Sequence, residues 1–468
     1  MRGIISYGAH VPYRRLDRAE VAKVFGAGGG RGTRAVASYD EDTTSMGVEA
    51  ARAALRSIDG AVVPRSLWFA TTSPSYVDKT NATTIHAALR LDADCLAMDM
   101  NGSARSAAAA LRVALDARGP VLVVSSDIRT GLPTSGDEAN HGDAAAAVLI
   151  GDDADGTVIA EHIGGASVTD EFTDRWRVPG AAASKQWEER FGEISYLPVG
   201  EQAWNAALKQ AELSAADVAV AIVTGPHARA VRALSGRLGT KVADDLASTV
   251  GWTGAAHPGV LLADVLDRAE PGQVIAVVSL ADGADVSLFR TTDAIAAHRS
   301  ARPVASQVAN GGSLLYGKFL AWRGMVTVEP PRRPEPARPS SSAAHRNESW
   351  KYAFVGSKDR KSGAVYLPPA RVSAKNDEID DMDEVPMADV LGTVTTYTVD
   401  RLAYSPSPPV VFAVVDFDGG GRLPMEITDL EPGDVQIGMR VEMTFRRLFA
   451  ADGIQNYFWK ARPVRADG

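Results

Sequence analysis

The stretch Leu96-Ala-Met-Asp-Met-Asn-Gly-Ser-Ala-Arg-Ser-Ala-Ala-Ala-Ala-Leu111 decides how the first two-thirds of the chain is read: a short strand, a sharp turn and a helix. The same order recurs near 218–239, where Val218-Ala-Val-Ala-Ile-Val runs through Gly225-Pro-His into Ala228-Arg-Ala-Val-Arg-Ala-Leu. The two segments read as two similar halves, a repeat of pattern and not of identity. Around them, Ser66-Leu-Trp-Phe-Ala, Val121-Leu-Val-Val-Ser, Ala145-Ala-Ala-Val-Leu-Ile and Val274-Ile-Ala-Val-Val-Ser are bounded apolar runs of strand length. Asp42 or Thr43 is placed to cap a helix whose inner face carries Met46, Ala50, Ala53 and Ala54. Short apolar runs alternating with helical patterns up to about residue 328 predict a layered α/β fold.

From Glu329 the texture changes. Pro330-Pro-Arg-Arg-Pro-Glu-Pro-Ala-Arg-Pro-Ser-Ser-Ser has the composition of an extended linker. Beyond it, runs beginning at Val390, Val410, Arg422, Met439 and Tyr457 read as five short strands punctuated by Gly and Pro, which predicts a small all-β barrel of the OB type. The expected organisation is 1–158 and 159–328 for the two α/β halves, 329–349 for the linker, and 385–468 for the barrel, with 350–384 between them.

A chain of 468 residues exceeds one ordinary domain of roughly 150 residues. Its 45% hydrophobic and 23% charged residues are ordinary for a globular protein. A net charge of -9 offers no basic stripe for a phosphate backbone, so nucleic acid is not an expected partner. No run approaches the ~20 apolar residues of a membrane span, and the first residues lack a signal-peptide core. The expectation is a cytoplasmic protein without a membrane partner. One cysteine, Cys95, excludes an intramolecular disulfide framework and a cysteine-rich metal site.

Several segments together resemble the thiolase superfamily, in its hydroxymethylglutaryl-CoA synthase and ketoacyl-carrier-protein synthase III branch. They are Gly3-Ile-Ile-Ser-Tyr-Gly-Ala-His-Val-Pro, Tyr39-Asp-Glu-Asp-Thr-Thr-Ser-Met, Gly142-Asp-Ala-Ala-Ala-Ala-Val-Leu-Ile-Gly-Asp, Gly225-Pro-His, Val250-Gly-Trp-Thr-Gly-Ala-Ala-His-Pro and Leu280-Ala-Asp-Gly-Ala-Asp-Val-Ser-Leu-Phe-Arg. Each is weak alone, but six in order are specific. The resemblance implies a fold of two similar halves layered α-β-α-β-α. The barrel region resembles an acyl-CoA-associated OB-fold family that begins with a zinc ribbon, carried here by Gly356-Ser-Lys-Asp-Arg-Lys-Ser-Gly-Ala-Val-Tyr-Leu-Pro-Pro-Ala-Arg-Val-Ser-Ala-Lys-Asn376. Where that family has two Cys-x-x-Cys pairs, this chain has Asp359, Ser362, Ser373 and Asn376. Zinc sites want thiolate or imidazole ligands, so 350–384 reads as a degenerate ribbon and zinc is not expected.

Condensing enzymes of this superfamily carry a thiolate at the start of a buried helix, where the helix N-terminus lowers its pKa and supplies oxyanion donors. Aligned by Asp99 and Leu111, that position falls on Ala104, and a methyl group cannot form an acyl-enzyme. Cys95 lies on the entering strand, too far away, and reads as a small buried hydrophobe. Ser103 is either a displaced nucleophile with His227 as its base or a helix-cap serine. His227 matches the family histidine that faces the thioester, as hydrogen-bond donor or general base, against the alternative of a structural helix-start residue. The family asparagine is Trp252 here, and the acidic residue of the synthase branch is Thr72. His257, Tyr316 and Tyr76 are polar groups for the altered cavity or satisfied structural side chains; Gly254 and Gly283 are substrate-binding positions by the same resemblance. Arg14, Arg15 and Arg229 are loose candidates for coenzyme phosphates.

Three changed positions on a retained frame imply a different reaction in the same cavity or a shape kept for binding. The expected function is an acyl-CoA enzyme that makes or breaks a carbon–carbon bond without an acyl-enzyme, of aldol or retro-aldol type. The alternatives are a catalytically silent acyl-CoA-binding or scaffold subunit and an active synthase using Ser103. The resemblance further implies a CoA thioester as substrate or ligand with no other cofactor, a homodimer, and association with another thiolase-type subunit.

Overall fold

The computed structural model describes residues 1–58, 62–298, 300 and 302–465, which form two compact units. The first comprises Met1–Ala37, Met46–Thr83 and Leu91–Tyr316; the second comprises Ser38–Ser45, Thr84–Arg90 and Gly317–Gly468.

The first unit is built on a nine-stranded sheet. Its strands are β1 (Arg2–His10), β2 (Ser66–Thr71), β3 (Leu96–Asn101), β4 (Val121–Asp127), β5 (Ala144–Asp152), β6 (Ala160–Thr169), β7 (Val220–Thr224), β8 (Val274–Leu280) and β9 (Gly283–Thr291), in the order β7-β8-β9-β6-β1-β5-β4-β2-β3. Both β4 and β8 are buried along their whole length. Strands covered on both faces read as unbroken apolar runs, which is why these stretches are so plain in the sequence.

The two halves share one topology. β2 is parallel to β4, which is antiparallel to β5, which is antiparallel to β1; β7, β8, β9 and β6 repeat those pairings. The halves join through β1 and β6 at Gly3↔Glu161 and Ile4↔Ala160. This register corrects the expected repeat. The 218–239 segment is the counterpart of β2 and its helix Ala82–Ala88. The counterpart of β3 is reduced to the parallel bridge Ala221↔Val242. Strand-turn-helix order recurs at both places, so pattern alone cannot choose which pair the sheet aligns.

The helices that matter to the site include α1 (Thr43–Arg56), α2 (Arg105–Asp116), α3 (Glu189–Gln210), α4 (Ala228–Ser235) and α5 (His257–Leu266). α2 and α5 touch strands of both halves, whereas α3 lies on β6 and β9. On α2 the buried residues include Ala107, Ala110 and Ala114, small enough for close approach to the sheet. α5 buries Val260, Leu261, Leu262, Val265 and Leu266, each contributing about 1.5–3 kcal/mol of transfer free energy. α1 packs on β1 at Gly8, where a Cβ would come within 2.6 Å of the Ala50 carbonyl oxygen. Cys95 is buried in the turn just before β3, one residue short of the strand expected to hold it.

In the second unit, β10 (Val355–Asp359), β11 (Val365–Tyr366) and β12 (Met382–Pro386) form a three-stranded sheet. β13 (Gly392–Asp400), β14 (Val410–Phe417), β15 (Arg422–Ile427), β16 (Arg440–Ala451) and β17 (Ile454–Pro463) close a barrel in the order β13-β14-β15-β17-β16. Alternate residues such as Val411, Ala413 and Val415 are buried, the period-2 signature that marked these strands. The segment read as an extended linker is helical at Ser341–Arg346, because the Ser340 side chain accepts from the Ala343 N–H and caps a run that begins with helix-tolerant residues.

Three barrel cations, Arg446, Lys460 and Arg462, are almost wholly buried. The acidic run Asp40-Glu41-Asp42 supplies partners to Arg446 and Lys460, while Arg462 pairs with Glu442 at 2.8 Å. Asp40 lies 3.1 Å from the Lys460 ammonium and 3.4 Å from Arg446, Glu41 lies 2.9 Å from Arg446, and the Tyr457 hydroxyl donates to Asp42 at 2.6 Å. Burial alone would raise the Asp40 pKa; Lys460 and Arg446 outweigh it and hold the carboxyl well below the usual range. Among the described residues, no helix is long and apolar enough to cross a membrane.

Candidate functional site

A cavity of about 680 Å³ opens in the first unit between the β7–α4 turn, the short helix Gly136–Asn140, the segment 186–189 and Trp252. Its wall includes His141, Asp174, Arg175, His227, Trp252 and His257. Three residues read from the sequence, His227, Trp252 and His257, therefore share one cavity.

His227 is the N-cap of α4. Its Nδ1 accepts from the Ala230 N–H at 3.1 Å, which leaves the proton on Nε2, and Nε2 donates to the Glu189 carbonyl at 2.8 Å. Both ring nitrogens are thus engaged by backbone. α3 reaches this close because residue 192 is glycine: a Cβ there would stand 2.4 Å from Asp174 Oδ1 and 2.5 Å from His227 Cδ2. Asp174 is buried, its Oδ2 makes no hydrogen bond among the described residues, and burial pushes its carboxyl pKa up against the pull of His227 and Arg175.

Trp252 is held by two neighbouring side chains. The guanidinium of Arg129 lies over the indole at 4.9 Å, and the His141 ring packs on it at 4.9 Å. His257 Nδ1 accepts from the Thr253 N–H at 3.3 Å, and burial pushes its pKa down to about 4, so it is neutral near pH 7.

Thr72 is tied to a buried carboxylate. Asp127 Oδ1 accepts from the Thr72 N–H at 2.6 Å and from the Thr71 hydroxyl at 2.9 Å, while its Oδ2 accepts from the Ala255 N–H at 2.7 Å. Arg129 donates to the Thr72 hydroxyl at 2.7 Å. Gly254 belongs to this knot and does not line the cavity: its φ is +59°, and a Cβ would lie 2.1 Å from Asp127 Oδ2.

Other expected residues lie elsewhere. Ala104 is the N-cap of α2 and its methyl makes no cap. Ser103 does not line the cavity of His227; its Oγ accepts from the Arg105 N–H at 3.1 Å, which is a capping role. Arg105 in turn clamps this turn to β9 through Asp285 at 2.8 Å. Tyr316 is also outside the cavity, buried, with its hydroxyl donating to Glu138 at 2.8 Å. Gly283 opens β9 at φ +124°, where a Cβ would lie 2.1 Å from the Val168 carbonyl oxygen, so its requirement is strand packing. Tyr76 stands away from the cavity with Lys79 over its ring at 5.7 Å. Arg15 is buried and donates to the Gln307 carbonyl at 2.9 Å, Arg14 donates to the Ser313 carbonyl at 3.2 Å, and Arg229 is exposed and paired with Glu189 at 3.1 Å.

Sequence reading missed His141, Asp174, Arg175, Asp127 and Arg129. Asp127 and Arg129 follow directly on the buried run at 121–125, and charged residues at the end of a buried strand are the signal that would have marked them. Asp174 and Arg175 stand in a segment with no periodic pattern.

In the second unit, Ser362, Ser373 and Asn376 meet around the carboxylate of Asp359. Asp359 Oδ2 accepts from the Ser362 hydroxyl at 2.5 Å and the Asn376 amide at 2.7 Å. Hydrogen bonds from Ser362 and Ser373 hold the Asp359 carboxyl well below the usual range. Among the described residues, no group of three or more His, Cys, Asp or Glu side chains is arranged to hold a metal ion.

Residues 384–446 match the family model described as "ChsH2, C-terminal OB-fold domain". Solved structures to which the chain is similar include two synthases. A hydroxymethylglutaryl-CoA synthase complexed with CoA matches at a TM-score of 0.58 and 16% identity over 72% of this chain and 93% of that one. The 3-oxoacyl-[acyl-carrier-protein] synthase III of Aquifex aeolicus matches at a TM-score of 0.54 and 18% identity over 62% and 100%. These establish a thiolase-like fold. In sequence, the hydroxymethylglutaryl-CoA synthase of Aeropyrum pernix is 31% identical over 346 residues, 70% of this chain and 95% of the relative. With its thiolase-like body and C-terminal OB-fold barrel, the chain belongs to the hydroxymethylglutaryl-CoA synthase family.

Proposed function

We propose that this protein binds an acyl-CoA thioester in the cavity of His227 and Trp252 and makes or breaks a carbon–carbon bond beside the thioester without an acyl-enzyme. The observation that carries the reading is that Asp174, His227, Trp252 and His257 line one cavity with no thiol among them, while the position matched to the family nucleophile is Ala104, whose methyl has nothing to attack with. A relative solved with CoA supports the ligand class.

Aldol-type chemistry needs a proton acceptor and oxyanion donors, and no covalent nucleophile. In the cleaving direction the hydroxyl proton of a β-hydroxyacyl thioester passes to Asp174, beside His227. The C2–C3 electron pair moves into the thioester as an enolate. The C3 fragment leaves as an aldehyde or ketone, and C2 then takes up a proton. Addition is the reverse. No step involves zinc, and 350–384 acts in this reading as a metal-free ribbon whose centre is the Asp359 carboxylate.

A catalytically silent acyl-CoA holder is the second reading, favoured by the backbone engagement of both His227 nitrogens. Incubation with β-hydroxyacyl-CoA esters decides between them. Release of aldehyde or ketone, lost in Asp174→Asn, supports the first; binding by calorimetry without release supports the second. Acylation by an acyl-CoA that disappears in Ser103→Ala, seen by intact mass, refutes both. Homodimerisation is part of the proposal: β3 is an edge strand with Leu96 58% exposed and Met98 36% exposed, a face for a second copy that light scattering would reveal.

A further inference from the structure

Trp252 stands where the family resemblance sets a side-chain amide, and an indole has a single N–H to give. Beside it is His141. Backbone bonds fix the pair: the Trp252 N–H donates to the Asn140 carbonyl at 2.9 Å and the Gly142 N–H to the Trp252 carbonyl at 3.0 Å, which leaves the two rings 4.9 Å apart. His141 belongs to the cavity wall yet is 3% exposed. Neither of its ring nitrogens has a hydrogen bond among the described residues. Nδ1 is buried without a partner, and Nε2 is 3.6 Å from Asp137 Oδ1, beyond bonding distance. Asp137 is itself taken bidentately by Arg175 at 2.7 and 2.8 Å. A buried imidazole without partners is costly, and a ligand polar atom in the cavity would relieve it.

The charged and titratable groups around the ring are Arg129, Arg175, Arg34, Asp137 and His257. Burial first, then the three guanidiniums and His257, hold the imidazole well below its ordinary pKa, so it is neutral. A neutral imidazole keeps one N–H and donates to a developing oxyanion without giving up its proton.

We propose that His141 is the oxyanion donor of this cavity, hydrogen-bonding through its imidazole N–H to the thioester oxygen of a bound acyl-CoA as an enolate forms. The inference rests on the acyl-CoA reading above and names a catalytic residue for it. In the enolising step the C2–H bond breaks and the proton passes to Asp174. The electron pair becomes the C1–C2 π bond, and the thioester oxygen takes the negative charge. His141 neither gains nor loses a proton.

The test uses the full chain and acetyl-CoA in deuterated water, with C2 deuterium incorporation read by mass spectrometry and acetyl-CoA affinity by calorimetry. Removing one oxyanion donor lowers rates by about 10²–10³-fold, so His141→Ala is expected to slow exchange by that factor while affinity changes less than about fivefold. His141→Gln restores an N–H near the same place and is expected to recover part of the rate; it also keeps the test alive should the alanine variant misfold. Exchange in His141→Ala within about threefold of wild type overturns the inference, as does a wild-type protein that binds acetyl-CoA and exchanges nothing. Wild-type exchange without cleavage of any β-hydroxyacyl-CoA leaves the inference standing and removes the carbon–carbon reading. Cleavage that survives in His141→Ala does the reverse.

Discussion

Asp40→Ala tests whether the buried acidic run holds the barrel together. At an effective dielectric of about 20, a unit charge 3.1–3.4 Å from its partner gains roughly 5 kcal/mol, and Asp40 has two such partners in Lys460 and Arg446. Desolvation of the three charges consumes much of this, and Lys460 keeps Glu426 at 2.5 Å while Arg446 keeps Asp429 at 2.6 Å. Removing one member of a buried pair costs about 3–5 kcal/mol because the remaining charge is stranded. The expected loss therefore sits at the low end, about 3 kcal/mol, or roughly a 100-fold change in an opening equilibrium. Two-state melting is a poor assay for a chain of two units. Hydrogen exchange read by mass spectrometry on peptides covering β16 and β17 reports the local opening instead. Protection there is expected to fall about 100-fold, while Asp416→Ala, which breaks an exposed pair with Arg422, changes it by less than about threefold. Equal protection in Asp40→Ala and wild type would refute the reasoning. The pH dependence has a definite sign. The Asp40 carboxyl is held low, so its contribution is present above the unfolded carboxylate pKa near ~3.9 and is lost as pH falls through the folded value.

Ala104→Cys restores a thiol at the N-terminus of α2, and it is expected to react with iodoacetamide at least tenfold faster than Cys95, which is buried and pushed up to about 11; a rate no greater than that of Cys95 would remove Ala104 from the nucleophile position. His257, pushed down to about 4, is neutral when folded but takes up a proton when unfolded below about pH 6.5, so stability falls on acidification from about pH 6.5 to 4, by on the order of 3 kcal/mol, and is flat above. Nitrogen NMR of the histidine ring, with a midpoint below pH 5, checks it. Asp359→Ala is expected to speed exchange in the loops at 360–364 and 370–379 without rescue by added zinc, since two hydroxyls and an amide remain; protection restored by zinc would overturn the metal-free reading.

The α/β body and the barrel were legible because their signals are local. β4 and β8 open on apolar runs at 121–124 and 274–278, and barrel strands such as β14 alternate with period 2. Register was not legible. The 96–118 and 218–239 segments share an order of elements, yet the sheet aligns 218–239 with β2 and its helix. Helical structure at 341–346 was hidden by a proline- and serine-rich composition, since one cap residue sufficed to start it. In the cavity, His227 and Trp252 came from the family pattern and His257 from its polar side chain, whereas Ser103, taken for its place beside residue 104, and Tyr316, taken like His257 as a polar group, lie outside the wall.

Sequence alone determined which side chains stand at the named positions: alanine at 104, an indole at 252, and no thiolate among residues 359, 362, 373 and 376, since residue identity limits what a side chain can donate, accept or attack with. Tertiary structure decided which groups meet. His141 and Trp252 are 111 positions apart, and only the backbone pairing of Asn140 and Gly142 with Trp252 brings their rings to 4.9 Å. Asp40 and Lys460 meet at 3.1 Å across almost the whole length of the chain. Such contacts depend on register and packing, which no local pattern encodes, and at those contacts the proposed oxyanion donor and the barrel's charge network arise.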